Sequence, residues 1–91
     1  MSIRFTVIIF LEVFIMTIDE AVRIRIQELL KKENMKISQV SLMGGLTPST
    51  LYDFMNGTTV HIQVNTIQQV CAGFKITLSE FFNKNYFNSL K

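Results

Sequence analysis

Side chains able to form directional hydrogen bonds are concentrated in one short part of the chain, residues 47–58. The groups available there are hydroxyls, one amide and one carboxylate, from Thr47, Ser49, Thr50, Tyr52, Asp53, Asn56 and Thr58. No partner that would turn them into a nucleophile–base pair or a metal site lies at a suitable spacing. The chemistry open to this set is therefore recognition of another molecule, and neither catalysis nor a cofactor is expected.

The single histidine and the single cysteine of the sequence do not change that view. His61 lies in a segment that connects two predicted helices, and a metal site there would need further ligands. Cys71 lies on an apolar helical stripe, so we expect a small buried hydrophobic side chain rather than a nucleophile. One cysteine cannot form an internal disulfide, and its presence suggests a reducing compartment.

The element that must position the polar groups is a short helix that begins after a glycine turn. The glycine pair at 44–45 ends the preceding helix through positive φ, and the hydroxyl of Thr47 is suited to cap the next one. Pro48 suits the first helical position, where its missing N–H costs nothing. Three apolar side chains then share one face: Leu51, Phe54 and Met55. A short helix with small polar residues on its exposed first turn is typical of the recognition helix of a helix-turn-helix.

Composition limits the architecture to one folded domain. The 91 residues are 48% hydrophobic and 18% charged, which favours a well-filled core over disorder. The net charge of +2 permits binding to nucleic acid without requiring it. We expect an arm at 1–16, a central domain at 17–82 and a tail at 83–91.

The arm at 1–16 has a pattern different from that of the remaining chain. Apolar side chains occupy alternate positions from Ile3 to Ile15, which favours a β-strand. A membrane-spanning helix is not favoured, because the apolar run is short and contains Glu12. A secretory signal would need a small-residue cleavage site. Two interpretations stay open: pairing with the same strand of a second copy, which gives a homodimer, or an extension without a role of its own.

Helical periodicity predicts four further helices. The first begins at a capping box formed by residues 17–20 and ends near Asn34, and the second covers residues 37–43. The fourth begins at Val64 and is ended by Gly73, and the fifth follows a second capping box at 77–80. The side chains predicted to face the core are Ala21, Val22, Ile26, Leu29, Leu30, Val40, Met43, Val64, Ile67, Val70, Cys71, Phe74, Leu78, Phe81 and Phe82.

Several short motifs occur in a fixed order between about residues 24 and 82. They are Ile26-Gln27-Glu28-Leu29-Leu30, Val40 five residues before Gly45, Gly45-Leu46-Thr47, Ser49-Thr50-Leu51, Asn56-Gly57, Thr66-Ile67 with Val70-Cys71, and Leu78-Ser79-Glu80-Phe81-Phe82. This ordered set resembles the lambda-repressor-like, Cro/C1-type (XRE) helix-turn-helix family. The resemblance implies an all-α, five-helix bundle that binds duplex DNA sequence-specifically, usually as a dimer, in transcription control.

The resemblance also implies which residues would contact DNA. It places Thr47, Pro48, Ser49 and Asp53 at backbone and base-edge contacts, with Tyr52, Asn56 and Thr58 near the phosphates. The start of the second helix would abut the DNA backbone. The complete predicted set is Lys36, Ser38, Gln39, Thr47, Pro48, Ser49, Thr50, Tyr52, Asp53, Asn56 and Thr58.

This chain departs from the family pattern in its charges and at three contact positions. Ile37 replaces a glutamine that often touches a phosphate, and Pro48 replaces a polar residue that often reads a base. Asp53 places a carboxylate at a reading position. No lysine or arginine occurs between Ile37 and Phe74. The candidates for phosphate neutralisation are Arg23, Arg25, Lys31, Lys32 and Lys36, of which Lys36 is the best placed. We therefore expect modest affinity for each monomer and a strong contribution from dimerisation.

Two functional hypotheses follow from the sequence. The first is a cytoplasmic, dimeric transcriptional regulator that binds double-stranded DNA, with residues 48–56 in the major groove. The alternative is a protein-interaction module, such as a phage or antitoxin-like adaptor, that uses the same bundle with the apolar arm as its adhesive surface. The missing cations on the recognition helix motivate this alternative.

Overall fold

The computed structural model describes residues 16–90, which contain five α-helices, one short 3-10 helix and no strand. The helices are α1 (Ile18–Lys32), α2 (Ile37–Gly44), α3 (Pro48–Met55), α4 (Val64–Phe74) and α5 (Leu78–Phe81), followed by the 3-10 helix Asn85–Asn88. The predicted all-α, five-helix architecture is confirmed for this part of the chain. Residues 1–15 of the arm, and the proposed strand pairing, lie outside the described residues.

The hydrophobic core receives side chains from all five helices. The largest fully buried apolar side chains are Val22 and Ile26 of α1, Val40 of α2, Leu51 and Phe54 of α3, Val70 of α4 and Phe81 of α5. Their spacing within each helix matches the apolar stripes predicted from periodicity. None of the helices described is long and apolar enough to cross a membrane.

Three side chains predicted to face the core are exposed instead. Met43 is 51% exposed, Val64 75% and Leu78 40%. The inward face of α2 is centred on Val40 and Gly44, so Met43 falls beyond its edge. Val64 and Leu78 are the first residues of their helices, and the apolar stripe there extends past the packed region.

The packing of α2 against α4 depends on two glycines that lie inside helices. A Cβ atom on Gly44 would lie closer than 3.0 Å to the carbonyl oxygen of Gln69. A Cβ atom on Gly73 would likewise lie closer than 3.0 Å to the carbonyl oxygen of Val40. Gly73 therefore does not end α4 as predicted: the helix continues to Phe74, and Lys75 at φ 61° is its C-cap. The prediction for the glycine pair was wrong in part, because only Gly45, at φ 78°, terminates α2 through positive φ.

The two predicted capping boxes differ in the structure. At α5 both bonds form: Thr77 Oγ1 accepts from the N–H of Glu80 at 3.0 Å, and Glu80 Oε1 accepts from the N–H of Thr77 at 3.1 Å. At α1 only the bond from Glu20 N–H to Thr17 Oγ1, at 3.2 Å, is present. The second box is therefore confirmed, whereas the first is half formed.

The C-terminal tail packs against the bundle through aromatic side chains. The hydroxyl of Tyr86 donates to Glu28 Oε1 at 2.7 Å, and the Phe87 ring lies 4.9 Å from that of Phe82. Burial, together with the hydrogen bond to Glu28, raises the pKa of Tyr86 above its usual value. The phenol therefore remains a hydrogen-bond donor at neutral pH, and the tail is attached to α1.

Ser41 is a buried polar residue with an unsatisfied side chain. It is fully buried in α2, and its hydroxyl has no hydrogen-bond partner. A buried hydroxyl without a partner costs about 1–3 kcal/mol, so Ser41→Ala is expected to stabilise the domain by about 1 kcal/mol. Urea denaturation would measure this, with Ser38→Ala, an exposed serine of the same helix, as the control. A lower midpoint for Ser41→Ala than for the unmodified chain would contradict the prediction.

Candidate nucleic-acid interface

Helix α3 presents its polar side chains outward because its apolar side chains anchor it in the core. Leu51 and Phe54 are buried, whereas Ser49 and Tyr52 are exposed and Asp53 is half-buried. A helix anchored in this way leaves its first two turns accessible to a partner. The polar face that the sequence predicts is therefore available for recognition.

The start of α3 is stabilised differently from the prediction. The hydroxyl of Thr47 makes no hydrogen bond to a backbone N–H and lies instead 2.7 Å from the hydroxyl of Thr50. The N–H of Thr50 donates to the carbonyl oxygen of Thr47 at 3.1 Å. The prediction that the Thr47 side chain caps the helix was therefore wrong, although Thr47 does occupy the N-cap position and Pro48 the first turn.

The other end of α3 is held by Arg23 of α1. Its Nε donates to the carbonyl oxygen of Phe54 at 2.8 Å, and its Nη2 donates to those of Val60 at 2.8 Å and Thr59 at 3.1 Å. The guanidinium also lies 4.4 Å from the centre of the Phe54 ring. These contacts engage Nε and Nη2 of Arg23 within the fold, and its predicted role in phosphate neutralisation stays a prediction.

Arg25 performs the same task at the end of α5. It is 9% exposed and donates to the carbonyl oxygens of Phe81 at 2.6 Å and Glu80 at 2.9 Å. This burial argues against its predicted role in phosphate neutralisation. Of the five cations considered from the sequence, the exposed ones are Lys31, Lys32 and Lys36.

A cleft of about 670 Å³ separates the start of α2 from the outer face of α3. It brings together six of the predicted contact residues: Lys36, Ser38, Pro48, Ser49, Tyr52 and Asp53. Its remaining wall is apolar and consists of Leu30, Met35 and Ile37. The cleft therefore combines one cation, one carboxylate and three hydroxyls with a hydrophobic wall.

The other five predicted contact residues lie outside this cleft but are exposed. Asn56 lines a neighbouring depression, and its Oδ1 accepts from the N–H of Thr58 at 2.9 Å. Thr47 and Thr50 are engaged with each other, and Gln39 Oε1 accepts from the N–H of Lys36 at 2.8 Å. Gln39 and Thr58 therefore shape the ends of α2 and α3, and their predicted contacts with DNA stay predictions.

Sequence reasoning missed two contributors to this surface. Arg23 orients α3 through carbonyl oxygens that follow it by 31–37 residues, and no local pattern signals such a bond. Leu30 was predicted to face the core and Met35 was given no role, yet both form part of the wall of the cleft. The signal that was available for that wall is Ile37, the apolar residue in place of a family glutamine.

Comparison with known proteins identifies the family of this chain. A family model described as a Cro/C1-type HTH DNA-binding domain matches residues 25–85. The chain belongs to the Cro/C1-type helix-turn-helix family. Within this Cro/C1-type domain α2 and α3 are the helix-turn-helix pair, and α3 occupies the place of the recognition helix. The match favours a DNA-binding domain and gives no support to the alternative of a protein-interaction module.

A solved structure shows the same fold. The protein described as "Crystal structure of the prophage Lp1 protein 11" matches with a TM-score of 0.69 and 29% sequence identity. The alignment covers 79% of this chain and 95% of that chain. The search of curated proteins found no match. The two proteins therefore share a fold over most of this chain.

The structure offers neither a reactive cysteine nor a metal site in the described part of the Cro/C1-type domain. The thiol of Cys71 is buried, and burial raises its pKa to about 11, slightly offset by Arg25. It is therefore protonated at neutral pH, as expected of a small hydrophobic side chain. Among residues 16–90, no group of three His, Cys, Asp or Glu side chains could hold a metal ion.

His61 connects the segment after α3 to the start of α1. Its Nδ1 lies 2.7 Å from Asp19 Oδ2, and the N–H of Ile62 donates to Asp19 Oδ1 at 3.1 Å. Burial by itself would raise the pKa of Asp19. The hydrogen bonds from His61 and Ile62, with the charge of Arg23, outweigh burial and hold the pKa below its ordinary value.

The lowered pKa of Asp19 implies that its contribution to the stability of the domain depends on pH. A carboxyl whose pKa is lower in the folded state stabilises it above the unfolded pKa of about 3.9, and this contribution disappears as the pH falls through the folded pKa. Asp19→Asn is therefore expected to be less stable than the unmodified chain at pH 7 and equally stable once the pH lies below the folded pKa. Denaturant midpoints of both proteins, measured from pH 7 to below the folded pKa, would give the difference in stability. A difference that stays constant at every pH would contradict the lowered pKa of Asp19.

Proposed function

We propose that this protein is a sequence-specific regulator of transcription that binds double-stranded DNA. In this proposal α3 enters the major groove, and the start of α2 contacts the phosphate backbone. The observation that carries it is the outward face of α3, with Ser49, Tyr52 and Asp53, beside Lys36 in a Cro/C1-type domain. The protein would act in the cytoplasm by occupying an operator.

The charge distribution favours binding as a homodimer. Lys31, Lys32 and Lys36 are the exposed cations near the end of α1 and the start of α2. Three phosphate contacts would give a salt slope of roughly −3 for each protomer, which is small for a DNA-binding protein. Two protomers on adjacent half-sites would double the slope and the number of base contacts, so affinity would depend on dimerisation.

The experiment that tests the proposal is selection of bound sequences from a random duplex library at low salt, with the full chain. We expect one enriched motif, and two half-sites about one helical turn apart if the protein binds as a dimer. Electrophoretic mobility shifts with the selected duplex would then give the affinity. The absence of binding to any duplex, or binding without sequence preference, would overturn the proposal.

Lys36 provides a sharper test of the docking geometry. If its ammonium neutralises one phosphate, Lys36→Gln should weaken binding to all duplexes similarly and reduce the salt slope by about 1 for each protomer. Lys84→Gln is the matched control, because Lys84 is exposed in the C-terminal tail and does not line the cleft. An equal change of slope in the two variants would contradict the proposed position of α2 on the backbone.

A further inference from the structure

We propose that the cleft between α2 and α3 reads A·T base pairs, an inference that rests on the proposed function. The carboxylate of Asp53 accepts a hydrogen bond from the N6 amino group of adenine. The apolar part of the cleft receives the C5-methyl group of thymine on the same or the adjacent pair. The structure supports this through the juxtaposition of Asp53 with Ile37, Pro48 and Tyr52 in one cleft.

The recognition surface lacks the group that most often reads guanine. Guanine presents two acceptors in the major groove, and a bidentate arginine or lysine is their commonest partner. No lysine or arginine occurs between Ile37 and Phe74. Lys36, the one cation that lines the cleft, lies at the start of α2 and contacts a phosphate in the proposed function. Arg23 donates from Nε and Nη2 to three carbonyl oxygens. The recognition helix therefore offers no cationic fork to a G·C pair.

The hydrogen-bonding group that the surface offers to a base edge is the carboxylate of Asp53. An ionised carboxylate only accepts hydrogen bonds, and the major groove presents two amino donors, adenine N6 and cytosine N4. Asp53 by itself would accept from either. Thymine carries the methyl group that distinguishes an A·T pair from a G·C pair on this edge.

The apolar wall of the cleft lies beside this carboxylate. Ile37, Pro48 and Tyr52 line the same cleft as Asp53, together with Leu30 and Met35. A methyl group that enters this wall leaves water for an apolar surface, which favours binding. Cytosine has no such methyl group, so the wall gains nothing from a G·C pair. The carboxylate and the wall are therefore jointly complementary to A·T.

Base analogues in the selected duplex test this inference atom by atom with the unmodified full chain. Deoxyuridine in place of thymidine removes only the C5-methyl group. 2-Aminopurine in place of adenine moves the amino group from C6 to C2 and still pairs with thymine. In each half-site, we expect the replacement of at least one thymine and of at least one adenine to weaken binding about three- to tenfold.

Protein variants connect each analogue effect to one side of the cleft. Pro48→Ala should reduce the loss of affinity caused by deoxyuridine and leave the loss caused by 2-aminopurine unchanged. Asp53→Ala should reduce the loss caused by 2-aminopurine and leave the loss caused by deoxyuridine unchanged. Leu42→Ala is the control, because Leu42 is exposed on α2 and does not line the cleft. Circular dichroism establishes that each variant is folded, and the analogue measurements on the unmodified chain do not depend on any variant.

The outcomes separate this inference from the proposed function. Sequence-specific binding that neither analogue weakens, or a motif without A·T pairs, would overturn the inference and leave the proposed function intact. Failure to bind any duplex would overturn the proposed function, and this inference with it. Analogue effects that persist unchanged in both cleft variants would show that the bases are read by another surface.

Discussion

Gly73→Ala is expected to destabilise the folded domain by about 3 kcal/mol, although glycine is unfavourable inside a helix. Helix propensity alone predicts the opposite sign, a gain of about 1 kcal/mol. The structural term is larger, because the added Cβ would lie closer than 3.0 Å to the carbonyl oxygen of Val40. A backbone atom of α2 cannot rotate away as a side chain would, so α2 and α4 must separate.

The size of this effect follows from the place of the contact in the fold. The packing of α2 on α4 is the most extensive between any two of the described helices, and it includes the close approach of Gly73 to the buried Val40. A loss of about 3 kcal/mol is a large part of the roughly 5–15 kcal/mol that stabilises a typical domain. The corresponding fall in melting temperature is about 15 °C for a domain of this size.

Gly57→Ala is the matched control for this prediction. Gly57 has φ 88°, and a Cβ placed on it would meet no atom within 4 Å. Its replacement therefore costs only the strain of left-handed backbone, about 1 kcal/mol. Urea denaturation followed by circular dichroism would compare the two variants. Equal midpoints would contradict the steric argument for Gly73.

Arg23→Gln is expected to lower both the stability of the domain and its affinity for DNA. The substitution removes donors from the carbonyl oxygens of Phe54, Thr59 and Val60 and the contact with the Phe54 ring. Hydrogen bonds from charged groups are worth about 1.5–3 kcal/mol, and Arg23 is half-buried, so we expect a loss of about 2 kcal/mol. The end of α3 loses its attachment to α1, and binding should weaken about tenfold, or about 1.4 kcal/mol.

The salt dependence of binding distinguishes this positioning role from a phosphate contact. If Arg23 acts through α3, Arg23→Gln should weaken binding without changing the salt slope, whereas a lost phosphate contact would reduce the slope by about 1. The affinities are measured at a temperature at which both proteins are fully folded. Arg23→Lys keeps the charge but cannot reach all three carbonyl oxygens, so it should resemble Arg23→Gln. Full rescue by lysine, or a reduced slope, would contradict the positioning role.

Local sequence patterns determined the helices and the outward face of α3. Apolar spacing in α1, α3 and α4, the capping box at Thr77 and the glycine at the end of α2 all involve residues within about four positions of each other. Such neighbours interact in any fold that contains the helix, so periodicity and capping identify them. The exposure of Ser49 and Tyr52 and the burial of Leu51 and Phe54 follow from the same periodicity.

Only the tertiary structure decided the roles of Arg23, Arg25 and Gly73, and it decided that the cleft exists. The two arginines donate to carbonyl oxygens 31–56 residues away, and Gly73 is required by the backbone of a helix more than 30 residues earlier, at Val40. The sequence records which side chains are charged or small, but not which distant backbone atoms they will meet. That depends on how the helices pack, which fixes which cations remain free for a partner.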